Sequence, residues 1–346
     1  MLIREIRPEE QKQFNEIASH PLQTWQWGEF REKTGIEVVR LGMFDGSNLK
    51  AGYQITIHPL PKLPFSVAYM PKCPMPTENV VNALKELGTR KQIIYIKVEP
   101  NVYTQAQYYQ QTPNIKKCEQ EFSKMGFVKG RALFTKHSFV LDLKLTDQEL
   151  LSKMKSKTRY NLNIAMKKGV VVSEDNSDAA FADYLKLTFE TTKRQGFYAH
   201  NKEYHQTMWE TLKPSGMVHL LKAVYQGETL VSWILFVCNG VLYYPYGASS
   251  SKNRNVMASN LMMWEVIKFG KKIGCHKFDM WGSLGPNPNP HDSWIGFHRF
   301  KEGFSPDLME FLGSYDIVIN QPMYKLYNIA DNLRWKYLKL RAKLPF

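Results

Sequence analysis

The chain has 346 residues, of which 43% are hydrophobic, 23% charged and 13% aromatic, a balance that excludes a disordered or fibrous protein and suits two folded domains. Its 46 lysines and arginines against 32 acids give a formal charge of +14, which favours an anionic partner: nucleic acid, nucleotide or anionic membrane. Four scattered cysteines, Cys73, Cys118, Cys238 and Cys275, form no CxxC pair and no cluster at metal-ligand spacing, so reduced thiols and no metal site are expected.

The start, "MLIREIRPEEQKQF", carries no apolar signal core. The longest apolar-rich run, Leu230–Val237, is too short to span a bilayer and reads as a buried strand. A cytoplasmic location is expected, with the inner face of the membrane as a peripheral alternative. Residues 38–57 read as a hairpin around "DGSN", followed by a strand over "FSVAYMPKCPMP". A helix over "ENVVNALKELGTRK" places Val80, Val81, Leu84 and Leu87 on one face and ends at Gly88. The strand "QIIYIKVEP" follows.

Between Leu145 and Val172 the Thr146-x-x-Glu149 capping box starts a helix that Gly169 ends. This segment carries Lys155, Lys157 and Arg159 among hydroxyls and amides, which fits either a solvated face or contacts to phosphate. Further on the first pattern repeats. A hairpin around "QGET" leads to the strand "GVLYYPYGASS", to a helix with Met262, Val266, Phe269 and Ile273 on one face ending at Gly274, and to the strand "HKFDMWG". Two copies of one α/β unit are therefore expected, with mixed sheets, flanking helices and a ligand cleft between or beside them. The division is residues 1–142 plus 316–346 for the first unit and 143–315 for the second. Near the end, "GFHRFKEGFSP" reads as a glycine-framed turn at a cleft mouth. The final helix spaces Leu326, Ala330, Leu333, Tyr337, Leu340 and Leu344 by four and three residues. This stripe is expected to pack on the first unit, leaving a basic face that can attract anionic lipid.

The ordered set "LQTWQWGEFREKTG", "AYMPKCPMP", "IKVEP", "KTRYNLNIAMKKGV", "TTKRQGFYAHNKEY", "VLYYPYGASS", "FDMWGS" and "GFHRFKEGF" resembles the Fem-type peptidoglycan interpeptide-bridge aminoacyltransferases over nearly the whole chain. The resemblance implies two tandem GNAT-like (acetyltransferase-fold) domains. It also implies transfer of glycine, alanine or serine from aminoacyl-tRNA, as co-substrate and without a cofactor, to the side-chain amine of a stem peptide. The acceptor partner is lipid II or UDP-MurNAc-pentapeptide. No heptad segment is present for the helical arm of some members, so the chain resembles the compact form. By motif, Phe300 and Lys301 are carried over to the reaction centre and Glu99 to a candidate base. Tyr204, Tyr246 and Tyr244 fall at substrate-contacting tyrosines. His200 stands where a member has arginine, and Glu29 where lysine can occur, with Arg31 two residues on.

The chemistry those positions would serve is aminolysis of an activated ester. Positioning two large substrates can offset about 7–11 kcal/mol, and a donor to the oxyanion about 3–4 kcal/mol; Lys301 is the candidate for the latter. A CoA-dependent N-acyltransferase of the same fold is disfavoured, because "NRNVMASN" (Asn253–Asn260) lacks the glycines of a pyrophosphate-binding turn. A non-catalytic RNA-binding protein is the other alternative, resting on charge.

Overall fold

A computed structural model describes residues 1–195 and 200–341. The first half runs β1 (Leu2–Glu5), α1 (Gln11–Glu16), α2 (Trp25–Lys33), β2 (Glu37–Asp45), β3 (Asn48–Pro59), β4 (Ser66–Cys73), α3 (Glu78–Arg90) and β5 (Ile93–Pro100). A connecting stretch holds β6 (Tyr103–Gln105), α4 (Pro113–Lys124), β7 (Val128–Lys129), β8 (His137–Asp142), α5 (Asp147–Lys153) and α6 (Ser156–Lys167). The second half runs β9 (Val171–Glu174), α7 (Asp178–Gln195), α8 (Lys202–Leu212), β10 (Val218–Tyr225), β11 (Glu228–Cys238), β12 (Val241–Ser249), α9 (Ala258–Lys272) and β13 (Lys277–Ser283). The chain closes with α10 (Ile295–Glu302), β14 (Asp307–Phe311), β15 (Tyr315–Val318) and α11 (Gln321–Arg341).

The duplication read in the sequence is present as topology. Strands β2-β3-β4-β5 lie side by side in a seven-stranded sheet, and β13-β12-β11-β10 in an eight-stranded one. In both, a hairpin pairs antiparallel with the third strand, and the third and fourth strands are parallel, joined by the helix between them. The apolar face of α3 is buried as its spacing requires, and so are Met262 and Val266 of α9 with Phe269 partly covered, but Ile273 lies past the end of α9 and is exposed. Gly88 does not end α3; the helix runs two residues past it, and the missing side chain makes room for Ile319. The helix expected across 145–172 is two helices. Its capping box forms as read, with Thr146 Oγ1 accepting from Glu149 N at 3.2 Å and Glu149 Oε2 accepting from Thr146 N at 2.7 Å. Met154, buried and extended in ψ, then breaks the run.

The halves exchange strands. The late strand β15 pairs with β5 and completes the first sheet, while β8 and β14 complete the second beside β13, with β6 at its edge. The boundary expected at residue 142 therefore falls on the wrong side of β8: His137–Asp142 registers against Lys277–Ser283 of the second half. A short buried strand does not reveal a partner so far along the chain. One apolar core fills the interface between the halves, combining Leu22, Trp27 and Phe30 with Trp209, Leu220, Phe236 and Tyr243. A second core lies on the other face of the second sheet, under α9.

The C-terminal return is fastened by charge. Lys97 Nζ on β5 lies 2.6 Å from Asp316 Oδ1 on β15, both side chains being buried, and Tyr324 of α11 donates to Asp316 Oδ2 at 2.8 Å. Removing one member of a buried pair costs more than the pair contributes, because the other charge is stranded. Asp316→Ala is expected to lower stability by about 3–5 kcal/mol in urea unfolding, and the double variant Lys97→Met/Asp316→Leu to recover much of it. An unchanged midpoint for Asp316→Ala would show that the pair does not fasten the sheet.

Candidate active site

The two repeated units differ in how their parallel strands continue. In the first sheet β4 and β5 stay paired from Ser66–Ile93 to Cys73–Pro100. In the second, β12 and β13 pair only from Val241–Lys277 to Tyr243–Asp279 and then part. Pro245 follows on β12, where it has no N–H to offer a ladder, and β12 bulges there against Ile234–Phe236 of β11. Strand β13 bulges between Asp279 and Gly282, with Trp281 in the left-handed region at φ +64°. Parting leaves carbonyls of β13 without strand partners, and Lys301 takes two of them. Its Nζ donates to Met280 O at 2.5 Å and Gly282 O at 2.8 Å, and stands 3.7 Å from the Phe297 ring centre. Lys301 is fully buried, and burial pushes its ammonium well below the usual lysine range, with Asp279 opposing.

This corrects the expected turn. "GFHRFKEGF" forms helix α10, and Lys301 points into the protein rather than out of a cleft mouth. Phe300 packs with Phe304 (5.6 Å between centroids) and Trp233 (6.5 Å), which fixes the helix carrying the lysine. The bulge in β12 also changes which tyrosines share a face. Tyr243 and Tyr246 point into the core between the halves, and Tyr244 into the opposite one. Tyr244 stacks on Trp233 at 3.9 Å and its ring lies over Gly247, where a side chain would collide with it. It packs within the second half and does not share the face of Tyr243 and Tyr246.

Four other expected residues do meet. Arg31 on α2 reaches across the halves to the Tyr204 ring of α8, 5.8 Å from its centre, and Phe30 packs edge-on to the same ring at 4.9 Å. His200 lies flat on Tyr204 at 3.6 Å and 14°. Tyr246 joins the group through His205, whose ring meets Tyr246 edge-on at 5.4 Å and Tyr204 edge-on at 5.9 Å. Burial raises both phenols above their ordinary range, with the Arg31 charge opposing. Desolvation and then Arg31 lower His200 and His58. His205 sits beneath, 5.4 Å from Tyr246, pushed down to about 4 by burial and by His200; its Nε2 has no partner among the described residues. Glu29 accepts from the Trp25 indole one turn earlier on α2, at 3.1 Å.

Nearer the point of parting, His20, Lys72, Tyr243, Trp281 and Asp279 form a second polar group between the halves. The Lys72 ammonium lies over the Phe311 and Phe134 rings at 3.0 and 4.1 Å. Burial pushes it down to about 7 against the pull of Asp279 and Glu99. Burial likewise raises Asp279, against Ser138, Lys72 and the Trp281 N–H. Glu99 is not available as a base. Its carboxylate accepts from Leu133 N (2.8 Å), from Phe134 N (3.2 Å) and from the hydroxyls of Tyr69 and Ser314, so it clamps the strand connection between the sheets.

Within the basic segment, two of the three candidate phosphate contacts have partners in the protein. Arg159 donates to the Ser152 carbonyl at 3.2 Å and to that of Met154, closing the end of α5, and Lys155 pairs with Glu302 at 2.6 Å. Lys157 remains exposed. Residues 196–199 of the "RQGF" stretch lie outside the described residues.

A family model described as the FemAB family matches residues 6–223 and 216–332. The chain belongs to the FemAB family. The lipid II:glycine glycyltransferases of Staphylococcus epidermidis and Staphylococcus aureus are 22% and 21% identical to it, each match covering 95% of this chain and 95% or 96% of the relative. The first alignment spans 405 residues, whereas 95% of 346 is about 329, so about 76 positions of that relative have no counterpart here. Among solved structures, FemX superposes with a TM-score of 0.82 at 19% identity, covering 94% of this chain and 99% of that one. A tandem GNAT protein from clavulanic acid biosynthesis gives 0.55 at 10% identity, covering 92% and 98%. The tandem GNAT-like fold is thus established.

The sequence did not single out His58, His205, His20, Lys72 or Asp279. The clue for Lys72 was its place within "YMPKCPMP", and for the parting strands it was the proline in "YYPYG". Glu99→Gln is expected to cost about 1–3 kcal/mol through its unmatched donors, with activity per folded molecule within threefold of the parent; a large loss of turnover at unchanged stability would restore it as a base. His20, His58, His137, His200, His205 and His298 are all held below the ordinary histidine value, chiefly by burial. The unfolded chain then binds more protons than the folded one below pH about 6.5, so stability falls as pH drops from there toward about 4. Thermal unfolding across that range, with His205→Phe flattening the slope, checks this; a pH-independent Tm would contradict it.

Proposed function

We propose that this FemAB protein transfers an amino acid, glycine, alanine or serine, from aminoacyl-tRNA to the stem-peptide side-chain amine of a peptidoglycan precursor, lipid II or UDP-MurNAc-pentapeptide. The names of its glycyltransferase relatives support the reaction class. The observation that carries the reading is Arg31 of the first half meeting Tyr204, His200 and Tyr246 of the second beside the parted strands. A cation ringed by aromatic and imidazole groups suits a precursor carrying phosphate and sugar.

On this reading the two substrates approach from opposite faces of the second sheet. The Arg31 group lies on the face toward the first half, and Lys301 and Tyr244 lie on the opposite face. Beyond Tyr243 and Asp279 the strands no longer seal the sheet, so an aminoacyl end and an acceptor amine can meet there. The amine nitrogen forms a bond to the ester carbonyl carbon, the bond to the ribose 3′ oxygen breaks, and the amine proton passes to that leaving oxygen. The ester is already activated, so the chain supplies positioning and charge stabilisation, with no cofactor required. Lys301 is a positioning residue: it holds the Met280 and Gly282 carbonyls and so the course of β13.

Incubation with a mixed aminoacyl-tRNA pool and both precursors, followed by mass analysis, is expected to yield one aminoacylated precursor. No product from either, or efficient acetyl transfer from acetyl-CoA, would overturn the reading. Arg31→Gln is expected to raise the acceptor KM about tenfold with kcat within threefold, as loss of a binding contact does. Lys301→Met is expected to lower kcat at least about 100-fold with little change in acceptor KM. Loss of folding alone, with normal turnover per folded molecule, would reduce Lys301 to a packing residue.

A further inference from the structure

The sequence pattern of the last helix leads to a surface that the reaction does not use. Helix α11 docks on the first sheet through a face other than its aliphatic stripe. Tyr324 and Tyr327 pack on Tyr95, each 5.3 Å between ring centres. Asp331 pairs with Arg131 at 3.0 Å, and Arg131 lies over Trp335 at 4.0 Å. Leu326, Ile329 and Leu333, spaced three and four apart, are 59%, 58% and 60% exposed. This corrects the expectation that the stripe packs on protein, at least for Leu326 and Leu333. The rest of that expectation concerns Tyr337 and Leu340, whose side chains lie outside the described structure, and Leu344, which lies outside the described residues. Beside the helix, the loop between β3 and β4 packs through Leu60 and Phe65 on the same Ile94, Tyr95 and Tyr324 cluster and leaves Leu63 52% exposed.

We infer that this face is a docking surface for an anionic lipid bilayer, on which α11 lies flat. Charge complementarity selects that occupant. At about 100° per residue, Lys325 and Arg334 flank the aliphatic stripe on opposite sides, and both are exposed. From Gln321 to the end, the sequence carries Lys325, Arg334, Lys336, Lys339, Arg341 and Lys343 against the single acid Asp331, which is paired with Arg131. An apolar stripe bordered by cations binds an interface by burying the stripe while the cations meet lipid phosphate. A second copy of the chain fits poorly, since a twofold contact would bring the cationic borders together. Nucleic acid gains nothing from three exposed aliphatic side chains. The inference does not rest on the proposed reaction, and its test reads binding alone.

The test is sedimentation of the full chain with vesicles of phosphatidylcholine alone, or containing about one third phosphatidylglycerol. Partition is expected to be at least tenfold stronger onto the anionic vesicles and to weaken with salt. The triple variant Leu326→Gln/Ile329→Gln/Leu333→Gln, changed only at exposed positions, is expected to lose at least tenfold in partition. Its unfolding midpoint should be that of the parent. Lys325→Gln/Arg334→Gln is expected to lose severalfold. Equal partition onto both vesicle types, or parental partition by the triple variant, would overturn the inference. So would a self-associated species, or binding of unacylated tRNA, that the triple variant abolishes, for then the stripe serves another copy or RNA.

Discussion

Two strands that run parallel for three residue pairs and then part shape the contact between the halves, where the proposed reaction would take place. The first sheet keeps the same strands paired and so stays closed. Parting exposes backbone carbonyls, and buried carbonyls require donors. Lys301 meets that demand at the expense of burying an ammonium, compensated by two carbonyls and an aromatic face. The same bulge that opens the strands turns Tyr246 toward the first half and Tyr244 away from it. The opening, the lysine and the tyrosine arrangement go together with two backbone bulges, one in each of the parting strands.

The opening is useful only if the halves are held in fixed relation, and the structure does this several times over. Helix α2 carries Trp27 and Phe30 into the second half's core, and Lys33 donates to Thr211 at 3.1 Å. Strands are exchanged in both directions, and Glu99 gathers four donors from the connecting segment and its surroundings. Arg31 is therefore delivered to Tyr204 by rigid elements rather than by a loop, which is the condition for a precise binding contact.

Much of the fold was legible because apolar spacing and turn residues repeat in the two units, and the order of eight motifs pointed to the family. Arg31, His200, Tyr204 and Tyr246 were also legible, and they meet. Glu99, Tyr244 and Arg159 were misread for a shared reason. A carboxylate, a phenol or a guanidinium has the same letter whether it faces a substrate or a backbone amide, and only tertiary contacts distinguish the two. The place of β8 and the phase change at Pro245 likewise depend on pairings that no local window contains. The stripe of α11 was seen, but periodicity alone does not say which face of a helix the protein covers.

The central claim is that the acceptor precursor binds between the halves, beside the parted strands. Photo-cross-linking with a UDP-linked muramyl pentapeptide carrying a photoreactive uridine, followed by peptide mapping, tests it most directly. Cross-links are predicted on α2 and α8 around Arg31 and Tyr204, suppressed by excess unlabelled precursor. Suppressible cross-links confined to the closed pair β4 and β5, or to α5 and α6, would contradict it.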